Sequence, residues 1–330
     1  MAESTLSLSI TELRKQIGRF MGYGLNPTHA SLSADAQADI DAIMGSGLRQ
    51  VYFPALLGER YAHKWSWLMP TTTLTTSAPY STGTVTIVDG VVTLAGGTFP
   101  TWAADGELII AGVTYTVNTR DSGTQVTLDD LTLDAAALTT YELVRAMQTM
   151  PDDFGGLLSP LVYLPGNSQY GRPLVQGDHD MIYAKRQWSD ATSPPAFFAI
   201  RPKTFTAATG QRFEILFWPV PDAAYILTYR YRVRPNTLGS SEYPYGGVEN
   251  SELFLASCLA KAEERRNDGP GPLHAKFLET LQAAIAFDRE VTAPHSLGID
   301  RDRGDVEMWP TDASRIGGGY LVPDGYTLGD

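Results

Sequence analysis

Residues 212–234 read RFEILFWPVPDAAYILTYRYRVR, with apolar and polar side chains alternating on both sides of a proline-rich turn. The alternation covers Phe213–Phe217 before the turn and Tyr225–Val233 after it. A period of two residues is typical of strands with one buried face. The sequence therefore predicts an antiparallel β-hairpin over residues 212–234.

Two amphipathic helices are predicted directly after this hairpin, over residues 250–267 and 272–291. The linker DGPGP at 268–272 offers glycine for a left-handed C-cap and proline for a first helical turn. The predicted apolar stripes are Leu255, Cys258, Leu259 and Ala262 on the first helix, and Phe277, Leu278, Leu281, Ala284 and Ile285 on the second.

Two further helices are predicted near the N-terminus. Ser9 and Glu12 form a capping box for a helix over residues 11–21. Ser33 is the predicted N-cap of the next helix, which contains Gly45 and Gly47. Glycines inside a helix suggest that another backbone packs closely there or that the helix bends.

Residues 70–143 differ in composition from the rest and lack Lys, His and Cys. Short strands are predicted at 83–88, 91–95, 106–111, 113–118 and 124–128, with tight turns at Asp89-Gly90 and Ala111-Gly112. This pattern indicates a small all-β barrel or sandwich that acts as a presentation or contact module.

The predicted fold class is α+β, with the β insertion (70–143) interrupting a helical core formed by residues 1–69 and 144–293. Within 144–211 we expect extended pieces at 161–164, 180–186 and 196–201. Residues 294–330 form an extended C-terminal arm without helical or strand periodicity. Several residues are too apolar for a free tail and suggest ordering on another molecule: Met308, Trp309, Tyr320, Leu321, Val322 and Tyr326.

Composition excludes several classes of protein. The net charge of −12 argues against a protein that coats nucleic acid. We expect no membrane span, since no apolar run approaches the required ~18 residues, and no secretory signal in the first residues. The single cysteine, Cys258, cannot form an intramolecular disulfide and is predicted to be a buried core residue.

No catalytic, metal or cofactor site is predicted. Asp178-His179-Asp180 could suggest a metal site, but adjacent side chains in an extended segment point to opposite faces. The other histidines are scattered, and the chain has no nucleophile elbow and no phosphate loop in strand-to-helix context.

Arg230, Arg232 and Arg234 are predicted to project from one face of a strand. Three interpretations remain open: a solvated face, ion pairs across a subunit contact, or direct contact with DNA.

The chain resembles the head-to-tail adaptor (connector) proteins of tailed bacteriophages. Residues 80–85 also resemble a β insertion that some of these proteins carry. The resemblance rests on the order and spacing of four stretches, residues 41–54, 216–232, 256–263 and 277–288.

This resemblance implies a ring, expected to be a dodecamer, that docks on the portal protein and attaches a tail or nozzle protein. Genomic DNA would pass through its channel without sequence-specific binding. The arm residues would bind the portal, and the three arginines would lie at the subunit interface. The protein would be made in the bacterial cytoplasm and reside in the virion neck.

Two alternative classes are another tail or neck component (stopper, terminator or nozzle) and an enzyme. The number of copies in the ring, twelve against six, distinguishes another tail or neck component from an adaptor. A glycan hydrolase would need two carboxylates facing one cleft, about 5–10 Å apart.

Overall fold

The computed structural model describes residues 3–54, 62–164, 173–189, 192–208 and 210–292, without the side chains of residues 136–138. The described part is mixed α+β. Its α-helices are α1 (Ile10–Met21), α2 (Ala34–Tyr52), α3 (His179–Trp188), α4 (Ser251–Asn267) and α5 (Pro272–Thr292). Its strands are β1 (Thr71–Thr75), β2 (Thr84–Val88), β3 (Val91–Ala95), β4 (Glu107–Ile110), β5 (Val113–Arg120), β6 (Gln125–Leu128), β7 (Ala135–Thr139), β8 (Glu142–Val144), β9 (Met147–Thr149), β10 (Phe154–Leu157), β11 (Val162–Tyr163), β12 (Val175–Gln176), β13 (Phe197–Pro202), β14 (Phe213–Trp218) and β15 (Ile226–Val233).

The described chain divides into two compact units. The first contains the described residues up to Pro70 and those from Arg232 onward, and the second contains those between Thr71 and Tyr231. The second unit thus continues from the predicted insertion, residues 70–143, through to the middle of β15.

Helix α4 lies at the centre of the first unit and packs against α1, α2 and α5. Its side chains are buried around most of its circumference, which explains why Leu253, Phe254 and Ala260 are buried outside the predicted stripe. Of that stripe, Cys258 and Ala262 are buried, whereas Leu255 and Leu259 are half-buried. On α5, Phe277 and Leu281 are the buried apolar residues.

The predicted helix starts are confirmed. The Ser9 hydroxyl accepts a hydrogen bond from the Glu12 amide, and the Ser33 hydroxyl accepts one from the Ala36 amide, both at 3.3 Å. Each bond satisfies one of the amides that a helix N-terminus leaves without an intrahelical partner. At the end of α4 the left-handed residue is Asp268, with φ 52°, and not the glycine that the sequence suggested.

A curled seven-stranded antiparallel sheet forms much of the second unit, in the order β7-β2-β3-β6-β5-β4-β8. The two predicted tight turns are confirmed: Asp89 and Gly90 have φ of 50° and 73°, and Ala111 and Gly112 have φ of 51° and 81°. Two consecutive left-handed residues match the twist of a two-residue hairpin. The inward faces form one apolar core that includes Val85, Ile87, Val92, Phe99, Leu108, Val126, Leu128 and Leu143.

The predicted hairpin over residues 212–234 is wrong, although both of its strands exist. Strand β14 pairs with β13 and β9, whereas β15 pairs with β1 and β11 in a different sheet. Period-two alternation identifies a strand but does not specify its partner. Here Pro219–Tyr225 carries the chain from one sheet to the next, and more distant strands supply the pairing.

Residues 180–186 were also predicted to be extended, but they belong to α3. The Asp178 carboxylate accepts a hydrogen bond from the His179 amide at 2.8 Å and caps the helix. Lys185 and Arg186 lie in the last turn, where cations complement the helix dipole. Only Ile182 is fully buried, so the helix lacks the broad apolar stripe that identified the others.

Buried and half-buried ion pairs join the seven-stranded sheet to the rest of the second unit. Arg186 of α3 holds both carboxylate oxygens of Glu107 on β4, and these side chains are only 11% and 9% exposed. Asp105 accepts from Arg145 at 3.2 Å and from Lys203 at 3.1 Å. These contacts explain why the insertion and residues 144–231 form one unit.

Candidate functional site

The three candidate interface arginines follow the alternation of β15. Leu227, Tyr229, Tyr231 and Val233 are buried on one face. On the other face Arg230 is exposed and Arg232 is half-buried, and Arg234, which directly follows the strand, is exposed. The burial pattern therefore confirms the predicted face, and its role in a subunit contact stays a prediction.

Arg232 borders a cavity of about 230 Å³ in the first unit, which we call the Arg232 pocket. Its wall is largely aromatic and apolar and includes Tyr52, Phe53, Trp65, Leu68 and Val233. The charged or titratable groups at its edge are His63, Lys64 and Arg232. Among the described residues, no aspartate or glutamate lines the pocket.

The aromatic wall is fixed by hydrogen bonding and ring packing. Trp65 is 1% exposed and donates from its indole Nε1 to the Val51 carbonyl at 2.7 Å. Trp65 stacks on Trp67 with ring centroids 5.2 Å apart, and Tyr52 packs edge-on against Phe254 at 5.4 Å. Burial raises the pKa of the Tyr52 hydroxyl, so this part of the wall stays neutral at physiological pH.

A buried carboxylate holds His63, one of the residues that line the pocket. Asp288, in the last turns of α5, lies 2.8 Å from His63 Nε2 and accepts hydrogen bonds from the amide and hydroxyl of Ser66. The Asp288 side chain is only 8% exposed, which makes an unpaired charge there costly. These contacts tie the end of α5, the last described element, to the segment that lines the pocket.

Arg232 has no counterion in the described part of the chain, where it makes neither a hydrogen bond nor an ion pair. The same is true of Lys64 at the pocket edge. A half-buried guanidinium beside aromatic rings is well placed to bind an anionic or aromatic group.

Two contacts of α4 show what the sequence did and did not reveal. Cys258 is fully buried, and burial raises the pKa of its thiol to about 12, which agrees with the prediction of an unreactive core residue. Glu263, near the C-terminal end of α4, is 5% exposed, and its carboxylate accepts a hydrogen bond from the Leu273 amide at 2.8 Å. It therefore caps the N-terminus of α5. The position of Glu263 within α4 could not predict this cap, because the contact depends on how α5 packs against α4.

Asp178-His179-Asp180 was predicted to be extended, with side chains pointing to opposite faces, and this prediction is wrong. At the start of α3, ligand atoms of all three residues lie within 4.8 Å of one another. His179 Nδ1 lies 3.3 Å from Asp178 and Nε2 lies 3.0 Å from Asp180. Both carboxylates are more than 70% exposed, so each is mainly solvated.

Two of the carboxylates in the groove between α2 and α4 are paired with cations. Asp39 lies 3.0 Å from Arg265, and Glu264 lies 2.7 Å from Lys261. The hydrogen bond from Lys261 lowers the pKa of Glu264. A glycan hydrolase needs a general acid with a raised pKa, whereas the pKa of Glu264 is shifted in the opposite direction.

The candidate arm residues Met308, Trp309, Tyr320, Leu321, Val322 and Tyr326 lie outside the described residues. Their proposed contact with a portal stays a prediction. Among the described helices, none is long and apolar enough to cross a membrane.

Comparison with known proteins identifies the family. No curated protein matches the chain. The family described as SU10 adaptor protein matches residues 91–303, which include the strands β13–β15 and the α4–α5 pair. Three of the four stretches that carried the resemblance fall inside this range, and residues 41–54 fall outside it. Because the match covers well over half of the sequence, the chain belongs to the SU10 adaptor family, a family of phage head-tail adaptors.

Proposed function

We propose that the protein is a structural component of the virion neck, a ring that docks on the portal, extends the DNA channel and attaches the tail. The family match over residues 91–303 is the observation that carries this proposal. We propose twelve copies per ring, with the portal and a tail or nozzle protein as its neighbours.

The surface features of the chain are compatible with a ring. A closed ring needs two different patches on each subunit that complement each other. The arginine face of β15 can supply one patch, since arginine is favoured in interfacial ion pairs. The charged groove between α2 and α4, with Asp39, Lys261, Glu264 and Arg265, offers a surface of mixed sign for the other.

The net charge suits a channel that DNA must slide through. A bore crowded with lysine and arginine would bind the phosphate backbone and slow its passage. We therefore propose a mostly non-basic lining. The pattern of basic residues on the bore of an assembled ring tests this directly.

We propose that residues 294–330 attach the ring to the portal, with Trp309, Tyr320 and Leu321 supplying the apolar surface. An arm that orders on binding loses conformational entropy and must bury apolar groups to offset that loss. Deleting residues 300–330 should leave the unfolding transition unchanged and weaken portal attachment. Unchanged affinity of the truncated protein for portal rings would refute the role of the arm.

A further inference from the structure

An apolar groove runs along one side of the helical pair in the first unit, and we call it the α4–α5 groove. Leu255 and Leu259 of α4 and Leu273 of α5 line it, and each of these side chains is half-buried. The space it encloses is about 100 Å³, well below the roughly 300–1,000 Å³ of a small-molecule site. The groove therefore fits protruding side chains of another protein surface better than a small ligand.

The apolar stripe continues beyond the groove along α5. Leu273 and Thr280 both line the groove and are seven positions apart, which is about two helical turns. The same spacing leads to Phe287, which is 48% exposed, and Val291, one turn further, is 60% exposed. Among the described elements, only α4 packs extensively against α5. The stripe from Leu273 to Val291 is roughly 27 Å long at 1.5 Å per residue.

The groove carries one charged side chain toward each end. Glu252 lies in the first turn of α4, and Lys276 lies near the start of α5. The short connection at residues 268–271 makes the helices antiparallel, so these two side chains lie toward opposite ends of the groove. Both are exposed, and neither charged group has a partner among the described residues. The groove is thus acidic at one end and basic at the other.

A second copy of the same groove complements both the apolar stripe and the charges. A two-fold axis perpendicular to the groove reverses its direction in the partner, so Glu252 of each copy faces Lys276 of the other. Leu255 and Leu259 then pack against the same apolar surface of the second copy. A face roughly 27 Å long and two helices wide covers about 500 Å² per copy. A total of about 1,000 Å² is the lower limit for a specific interface, which makes the contact weak.

We propose that the free protein forms a weak two-fold dimer through the α4–α5 groove. This inference concerns the free protein and does not require the proposed ring. A cyclic ring is built from head-to-tail contacts, whereas a two-fold contact joins only two copies. If both proposals hold, the dimer must separate before its copies enter the ring, so it holds back ring formation until the portal is present.

Sedimentation velocity of the full-length protein over roughly three decades of concentration tests this dimer. We expect a monomer at the low end and a dimer at the high end. Glu252→Lys and Lys276→Glu each place two like-charged pairs in the contact and should weaken the dimer roughly tenfold. Glu279→Lys is the matched control, because Glu279 is exposed on α5 but does not line the groove. A monomer at every concentration, or an equal loss in the control, would overturn the proposal.

An equal mixture of the two single variants distinguishes the two-fold contact from any other. In a mixed pair every lysine faces a glutamate, so the mixture should recover dimers, almost all of them heterodimers. Labelling one variant with ¹⁵N resolves these species by native mass spectrometry. The double variant Glu252→Lys with Lys276→Glu should also recover the dimer, which shows that the single variants fail through charge and not through misfolding. Failure of both to recover, or a larger closed ring without the portal, would contradict the proposal.

Discussion

Gly47 of α2 packs directly against the backbone of Cys258 in α4. A Cβ atom on Gly47 would lie 2.8 Å from Cys258 Sγ and 2.9 Å from its Cα, closer than such atoms approach in folded proteins. The neighbouring Ser257 hydroxyl donates to the Gly47 carbonyl at 2.9 Å. The absence of a side chain at position 47 therefore sets how closely the two helices approach.

Gly47→Ala should destabilise the protein by about 1–3 kcal/mol, because the added methyl group overpacks a contact between two backbones. Gly45 is the matched control, since a Cβ there would meet no atom within 4 Å. Gly45→Ala should be neutral or stabilising by up to about 1 kcal/mol, because alanine favours the helix. Urea unfolding of the two variants measures the difference. Equal changes in the free energy of unfolding for the two variants would show that the close approach at Gly47 does not exclude a side chain.

Glu263→Gln should cost about 1 kcal/mol of stability, because it removes the ionised cap from the N-terminus of α5. The adjacent Glu264 is exposed and makes only a surface pair with Lys261, so Glu264→Gln should change stability by less than about 0.5 kcal/mol. Thermal unfolding compares the pair. A larger loss in Glu264→Gln than in Glu263→Gln would contradict the capping role.

The Cys258 thiol should resist alkylation in the folded protein. Burial raises its pKa to about 12 from the ordinary value of 9.0, so very little of the nucleophilic thiolate is present at pH 8. Iodoacetamide should label the protein in urea and leave it unlabelled without denaturant. Rapid labelling of the folded protein would contradict the burial.

The same shift in pKa predicts a dependence of stability on pH. A group whose pKa is raised by folding stabilises the protein below its unfolded pKa and loses that contribution as the pH rises. Between pH 9 and 10, Cys258 should therefore lower the free energy of unfolding by about 1 kcal/mol. Cys258→Ala should reduce this slope. An identical slope in both proteins would assign it to other groups.

Removing one partner of the Glu107–Arg186 pair should destabilise the protein strongly. Replacing both partners with apolar residues should destabilise it much less. Arg186→Met alone leaves the Glu107 carboxylate buried without its partner and should cost about 3–5 kcal/mol. The double variant Glu107→Leu with Arg186→Met should recover most of this loss. Asp152→Asn is the control, because that carboxylate pairs with Arg212 but is 73% exposed; it should cost less than about 1 kcal/mol. A double variant as unstable as the single one would contradict this account.

Local signals in the sequence predicted the elements that depend on neighbouring residues. The Ser9 and Ser33 caps, the α4–α5 pair and the turns at Asp89-Gly90 and Ala111-Gly112 are set by backbone preferences within a few positions. Likewise, the alternation in β15 predicted which face would be buried. Such features follow from the chemistry of the segment itself.

Contacts between distant residues could not be predicted in this way. Three such contacts join segments that are separated in sequence by other helices, strands or loops. They are the strand pairings of β14 and β15, the cap that Glu263 gives to α5, and the bond between His63 and Asp288. The Arg232 pocket combines residues 52–68 with residues 232–233, so no single stretch carries its signature. Helix α3 was missed because it buries only Ile182 completely and so lacks a clear helical period.

The most direct test of the adaptor proposal is the mass of the purified protein with and without its portal, by native mass spectrometry or light scattering. The protein should form a twelve-copy ring when it binds the portal. A stable six-copy ring, or no binding to the portal, would contradict it and indicate a different part of the tail or neck.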